Sequence, residues 1–344
     1  MIKELLKEAI ILKNKGYYKH AIETLYKALE NDHSSLELLF EIAESYFFMG
    51  DIERCLEYIE QILDKAPSHI NSLKLLKNIF IQKEAWAEAE QTAKNIYCIS
   101  EKNEDLVEIF KLLNKQKRYD EIFDYNIKIE TSDTLYEKAF AKFYSNKLNE
   151  AKIFIDKALD ISPNSTKLLL LKGNILLQLN NDEEAYELLK TLNITNENDT
   201  LLNFAGIVYQ RRGEYKKAID YFLNSLKYSK EKDICYYNCA STYFKMGDNI
   251  QAKKYYNLAI SKNPNNPSYH IALANLYYSE KNYKRAMEEL KSELYEARLL
   301  KAVILHDAGY LAIAKKEFEA LIKEFPEDEI VQEHLNKINL ELEF

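Results

Sequence analysis

Apolar residues recur along this chain in short stripes at helical spacing. Leu39, Ala43 and Tyr46 stand at i, i+4 and i+7, and Leu202, Gly206 and Tyr209 repeat the same phase. Such spacing puts side chains on one face of an α-helix, with polar residues on the other. Leu5, Leu73, Leu135 and Leu169 open equivalent stripes. A second stripe follows each first one after a short turn. The pattern therefore predicts pairs of amphipathic helices.

The pairs repeat. A small or apolar residue recurs at Ala21, Cys55, Ala89, Ile122, Ala151, Ala185, Ala218, Ala252, Ala286 and Ala314, with spacings of 34, 34, 33, 29, 34, 33, 34, 34 and 28. Twelve residues before them stand Ala9, Ala43, Ala139, Gly173, Gly206, Ala240, Ala274 and Ala302; only Lys77 and Phe110 break that second ladder. Two small positions let two helices cross closely, and a larger side chain there costs about 1–3 kcal/mol by overpacking. Gly50, Gly213, Gly247 and Gly309 fall in the short turns, where a left-handed residue ends a helix cheaply. Pro67, Pro163, Pro264 and Pro326 stand twelve after the second small position and end the second helices. Thirty-four residues cannot bury two stripes alone, so each unit needs its neighbours.

This arrangement resembles the tetratricopeptide repeat family over nearly the whole chain. The unit from Thr200 to Phe222 and the one from Asp233 to Asn266 carry the resemblance best. It implies an all-α fold, a right-handed α–α superhelix. The chain 1–344 then reads as one solenoid, with about ten units over 2–326 and a capping helix over 327–344. The third and fourth units match worst, between Lys77 and Ile122. Lys77 is expected to reach solvent along its stem. The spacings of 29 and 28 imply shortened turns after the fourth and ninth units. In the last segment Ile330, Val331, His334, Leu335, Ile338 and Leu342 form one apolar side. Its acids, from Glu327 to Glu343, read as a solvated cap face or an acidic docking tail.

Composition narrows the function. Only 7 glycines and 5 prolines occur in 344 residues, which suits helices and leaves no dinucleotide fingerprint and no phosphate loop. The net charge of −8 disfavours nucleic acid as a partner. No stretch is apolar enough to insert into a membrane, and no secretory signal opens the chain. The expectation is a soluble, cytoplasmic protein. Cys235 and Cys239 share a helical face, but no ligand set completes a metal site, and they read as small buried residues. The sequons at Asn164, Asn193 and Asn198 carry no meaning in a cytoplasmic chain. The six histidines fall in different units or in turns, and no catalytic motif or cofactor site is found. The chain is expected not to be an enzyme.

The resemblance places the first helix of each unit on an inner, concave wall. By phase, the aromatic residues facing a groove there are Phe40, Phe47, Tyr136, Phe140, Phe143, Tyr237, Phe244 and Tyr278. The amides are Asn78, Asn174, Asn203, Gln210 and Asn275, and Lys74, Lys111, Ser241 and His306 share the phase. Rings supply contact area and amides pair with backbone, so the groove reads as neutral and peptide-accepting. The alternative is that the rings pack between helices. Lys74 and Asn78 begin the pattern by which some members clamp a chaperone's C-terminal carboxylate. Glu108, Asp133 and Glu137 then stand where an amide and bases are needed, and acids repel a carboxylate. The clamp is rejected. The expected function is a non-catalytic scaffold that holds a peptide or a partner helix. Two alternatives use the same groove: a regulatory signal-peptide sensor, and a targeting subunit of an enzyme carried on another chain. The sensors usually carry a DNA-binding head. Here the first unit begins at Ile2, so a sensor would need an output through another protein.

Overall fold

A computed structural model describes residues 1–192 and 198–342. The sequon at Asn193 and the acid Glu343 lie outside the described residues. Every regular element among them is helical. The backbone groups into two compact units, 1–175 and 176–344.

The first unit holds α1 (Ile2–Asn14), α2 (Tyr18–Leu29), α3 (Leu36–Met49), α4 (Ile52–Lys65), α5 (Ile70–Gln82), α6 (Trp86–Ser100) and α7 (Asn103–Lys115). A single 3₁₀ turn, Asp120–Asp124, follows, then α8 (Ser132–Tyr144) and α9 (Leu148–Ile161). The boundary between the units falls within α10 (Thr166–Gln178). The second unit continues with α11 (Asp182–Thr191), α12 (Asp199–Arg211), α13 (Tyr215–Ser225), α14 (Lys232–Lys245) and α15 (Asn249–Lys262). It ends with α16 (Pro267–Ser279), α17 (Tyr283–Glu289), α18 (Tyr295–Asp307), α19 (Leu311–Glu324) and α20 (Glu329–Leu342). Within each unit the helices pack as successive hairpins, and each hairpin lies on the next. Each unit is thus an all-α helical-repeat solenoid, as the periodicity requires.

The ladder from Ala21 to Ala314, on the second helices, is fully buried at every one of its ten positions. One crossing admits no side chain, at Gly206. A Cβ there would lie 2.4 Å from the Phe222 ring, which is itself fully buried. Every hairpin turn contains one left-handed residue. Gly16, Gly50, Gly213, Gly247 and Gly309 take φ between 77° and 82°. Glu84, Lys117, Asn146, Asn180 and Lys281 hold φ of 56–60° at the corresponding places. The same closing bond recurs in each kind of turn: Asp51 N–H donates to Tyr46 C=O at 3.0 Å, and Arg118 N–H to Leu113 C=O at 2.9 Å. Pro67, Pro163, Pro264 and Pro326 each stand two residues past the last residue of α4, α9, α15 or α19.

Three local expectations are corrected. The residues missing from the fourth and ninth units come from the second helix and not from the turn after it. One becomes the five-residue 3₁₀ turn and the other the seven-residue α17. Lys77 does not reach solvent; it is 7% exposed, and its ammonium sits 2.7 Å from Glu108 on the following first helix. On α20, Val331 and Ile338 are buried, but Ile330 and Leu342 are exposed. The apolar side of the cap is narrower than its sequence stripe.

The shortened fourth unit is fastened by charge. Glu90 is 4% exposed and accepts from Lys94, Gln116 and Arg118. Burial opposes its ionisation, but the hydrogen bonds from Lys94 and Gln116 outweigh burial and hold its carboxyl below the ordinary range. Arg118 also pairs with Glu121 in the 3₁₀ turn. This guanidinium ties the turn to α6 beside the buried contact of Ile122 with the core that holds Ala89 and Ala93.

Candidate functional site

The first helices of successive hairpins meet through polar side chains. In the first unit Lys13 of α1 pairs with Glu41 and Glu44 of α3. Lys74 of α5 pairs with Asp105 of α7 at 3.3 Å. Glu108 lies 2.7 Å from both Lys77 and Lys111. Asn114 of α7 donates to Glu137 of α8 at 2.8 Å. In the second unit Asn238 donates to Asn203 at 2.7 Å, and Gln210 donates to Thr242 at 2.7 Å and accepts from Lys245. The Tyr278 hydroxyl donates to Asp307 at 2.5 Å.

These contacts sort the groove residues. Asn78, Asn174 and Asn275 are exposed. Asn203, Gln210 and Tyr278 are half-buried and occupied by bonds to the next first helix. Phe40 and Phe47 lie against the first core, with Phe40 5.7 Å from the His69 ring. Tyr237 packs 5.1 Å from Tyr269 and 5.8 Å from Tyr256, and Phe244 lies against the same core. Burial pushes the Tyr237 hydroxyl above its ordinary range.

One place differs. Tyr136, Phe140 and Tyr144 stand at i, i+4 and i+8 on α8, on one helical face. Their ring centroids are 6.2 and 4.4 Å apart. Tyr119, just before the 3₁₀ turn, stacks on Tyr144 at 6.4 Å. Phe143 meets Tyr144 edge-on at 5.1 Å. The four rings of Tyr119, Tyr136, Phe140 and Tyr144 line an open cavity of about 700 Å³ with Asn114, Glu137 and four lysines: Lys111, Lys115, Lys117 and Lys167. The groove read as neutral is basic here. Lys167 stands 3.6 Å over the Tyr136 ring and 3.9 Å from the Glu137 carboxylate. Burial pushes the Tyr136 hydroxyl up to about 12. Burial also raises the Glu137 carboxyl above its ordinary range, against the hydrogen bond from Asn114.

The phase rule thus found Tyr136, Phe140 and Lys111, but it missed Tyr119, Tyr144 and the other lysines. The aromatic spacing from Tyr136 to Tyr144 was a usable signal. Lys117 and Tyr119 were not legible as lining residues, because they lie in the turn after α7, which first-helix phase does not reach.

Two other groupings bear on chemistry. His306 and His334, distant in sequence, meet with Nδ1 atoms 3.2 Å apart where α20 packs on α18, and His306 Nε2 lies 3.2 Å from Glu341. Burial and the neighbouring His306 hold the His334 imidazole below its ordinary range. Cys235 and Cys239 are buried, and burial pushes the Cys239 thiol up to about 12, which makes it a poor nucleophile at neutral pH. Among the described residues, no group of three or more His, Cys, Asp or Glu side chains could hold a metal ion. No helix among them is long and apolar enough to cross a membrane.

Profiles of the tetratricopeptide repeat match residues 37–69, 132–165, 200–233 and 235–266. A TPR repeat-containing protein of Methanocaldococcus jannaschii is 28% identical over 336 residues, which cover 84% of this chain and 56% of that protein. The anaphase-promoting complex subunit CDC16 of Saccharomyces cerevisiae is 31% identical over 106 residues, 28% of this chain and 13% of that one. This chain therefore spans about half the length of the first relative and a small part of the second. A chain in the crystal structure of the APC/C hetero-tetramer Cut9-Hcn1 superposes with a TM-score of 0.57 at 12% identity, over 98% of this chain and 76% of that one. That likeness shows the fold.

Proposed function

We propose that this chain, a tetratricopeptide repeat protein, acts as a non-catalytic scaffold that holds a peptide segment of a partner protein against its first helices. The observation that carries the reading is the open cavity on α7 and α8. Tyr144 at its edge is 57% exposed, whereas Tyr136 and Phe140 of the same stripe are half-buried and Tyr119 packs against the core under the 3₁₀ turn. Exposed aromatic area held on rigid helices is what peptide anchors need. Asn78 and Asn174, exposed on the first helices α5 and α10, offer amides to an extended backbone.

The similarity to a protein named as a subunit of the anaphase-promoting complex favours a role as one member of an assembly, with any catalysis on another chain. The test is affinity capture from cells of origin with the intact chain and with Tyr144→Ala, read by quantitative mass spectrometry. The reading expects a small set of proteins to be depleted in the variant. An unchanged set would refute this face as the docking surface.

A further inference from the structure

The cavity beside Tyr144 carries more cations than its own carboxylates can balance. Four lysines line it against one acid, and Glu137 is 5% exposed. Lys111 is partnered outside the lining by Glu108 at 2.7 Å. Lys167 leans over Tyr136 toward Glu137. Lys115 and Lys117 are exposed, and among the described residues neither is ion-paired; Lys115 lies 5.6 Å from the Trp86 ring. A net charge of −8 makes this basic rim a local exception on an acidic chain.

The chemistry excludes several ligands. A methylated or simple ammonium would suit an aromatic row with a buried acid. Here the Lys167 ammonium already stands over Tyr136, and three more lysines repel a second cation. A phosphate group needs converging donors, usually backbone N–H groups at a glycine-rich turn. This lining contains no glycine, and its lysines stand around a wall of rings. Extended nucleic acid needs a basic track, which an acidic chain with four local lysines does not provide. What remains is apolar area at the centre with positive charge around it. Its volume of about 700 Å³ admits a large side chain with its flanking backbone.

We propose that the cavity between α7 and α8 takes an aromatic side chain from a linear peptide segment whose neighbouring residues are Asp and Glu. The ring seats among Phe140, Tyr144 and Tyr119. The flanking carboxylates pair with Lys115 and Lys117, neither of which has an ion pair among the described residues. This deepens the scaffold reading by naming the partner's chemistry, and it rests on that reading.

The test is fluorescence anisotropy of the full chain with three short labelled peptides: Trp flanked by Asp and Glu, the same peptide with Trp→Gly, and Trp flanked by Lys. The acidic Trp peptide should bind best. Loss of Trp should weaken binding about tenfold or more, as for a hot-spot anchor, and the Lys-flanked peptide should not bind measurably. Lys115→Glu with Lys117→Glu should weaken the acidic peptide about tenfold and flatten its salt dependence. Tyr144→Ala, at a ring that is 57% exposed, should weaken it similarly while the chain keeps its helical circular dichroism spectrum. Equal binding of the acidic and Lys-flanked peptides, or indifference to both sets of variants, would overturn the proposal. So would displacement of the acidic peptide by an equimolar short polyuridine. If the peptides fail while Tyr144→Ala still loses captured proteins, the scaffold reading stands and only this partner chemistry falls. If capture is also unchanged, both fall.

Discussion

Gly206 shows how one atom can decide a crossing. A Cβ would meet three atoms of the Phe222 ring at 2.4–2.8 Å, and that ring has nowhere to go. Gly206→Ala should therefore lower stability by about 1–2 kcal/mol, because overpacking exceeds the helix-propensity gain of about 1 kcal/mol. Phe222→Leu in the same chain should recover part of the loss; simple additivity in chemical denaturation would argue against the clash. The left-handed turn residues make the opposite case. Glu84 adopts φ 56° where other hairpins use glycine. Left-handed backbone costs an L-residue about 1–2 kcal/mol, and glycine's extra chain entropy returns part of that. Glu84→Gly should stabilise by about 0.5–1 kcal/mol, and a loss would show that its side chain matters more than its φ. The glycine turns were legible in the sequence because glycine announces them. Glu84, Lys117 and Lys281 were not, since their conformation is imposed by the hairpin. Lys77 misled for a related reason: its partner Glu108 stands 31 residues away, in the next unit.

At the level of the element, the spacing of the small ladder revealed where residues were missing but not which element lost them. The fourth unit keeps its turn and gives up its second helix. The five-residue 3₁₀ turn, anchored by the buried Ile122 and by Arg118 but lacking a full helix's hydrogen-bond ladder, should exchange its amide hydrogens faster than α9, which is a full helix in the next unit. Equal protection by mass spectrometry would contradict that. The pairing of α7 with α8 also carries a pH dependence. Glu137 is buried, and its carboxyl keeps its proton to higher pH in the folded chain than in the unfolded one. The folded state therefore binds more protons in the window just above the ordinary value of 4.5, and stability falls as pH rises through it. Glu137→Gln keeps an acceptor for Asn114. It should be more stable than the parent at pH 7, with the difference shrinking towards pH 4. Parent and variant losing stability in parallel over that range would rule out Glu137 as the cause.

For the whole molecule, the repeat family and the helical architecture were legible in the sequence because ten units state the same ladder. The candidate site was legible only in part. Tyr136 and Phe140 follow from helical phase, while Tyr237 and Phe244 share that phase and pack against a core. Helical phase alone does not distinguish a ring that lines an open cavity from a ring that packs in a core. The central claim is that partners dock on the first-helix face beside Tyr144. It is tested most directly by placing a photo-crosslinking amino acid at Tyr144, and in a separate chain at Ile153, which is 56% exposed on the second helix α9. After irradiation in cells, the account predicts a discrete partner adduct from position 144 and none from 153. An adduct from 153 alone, or equal adducts from both, would contradict it.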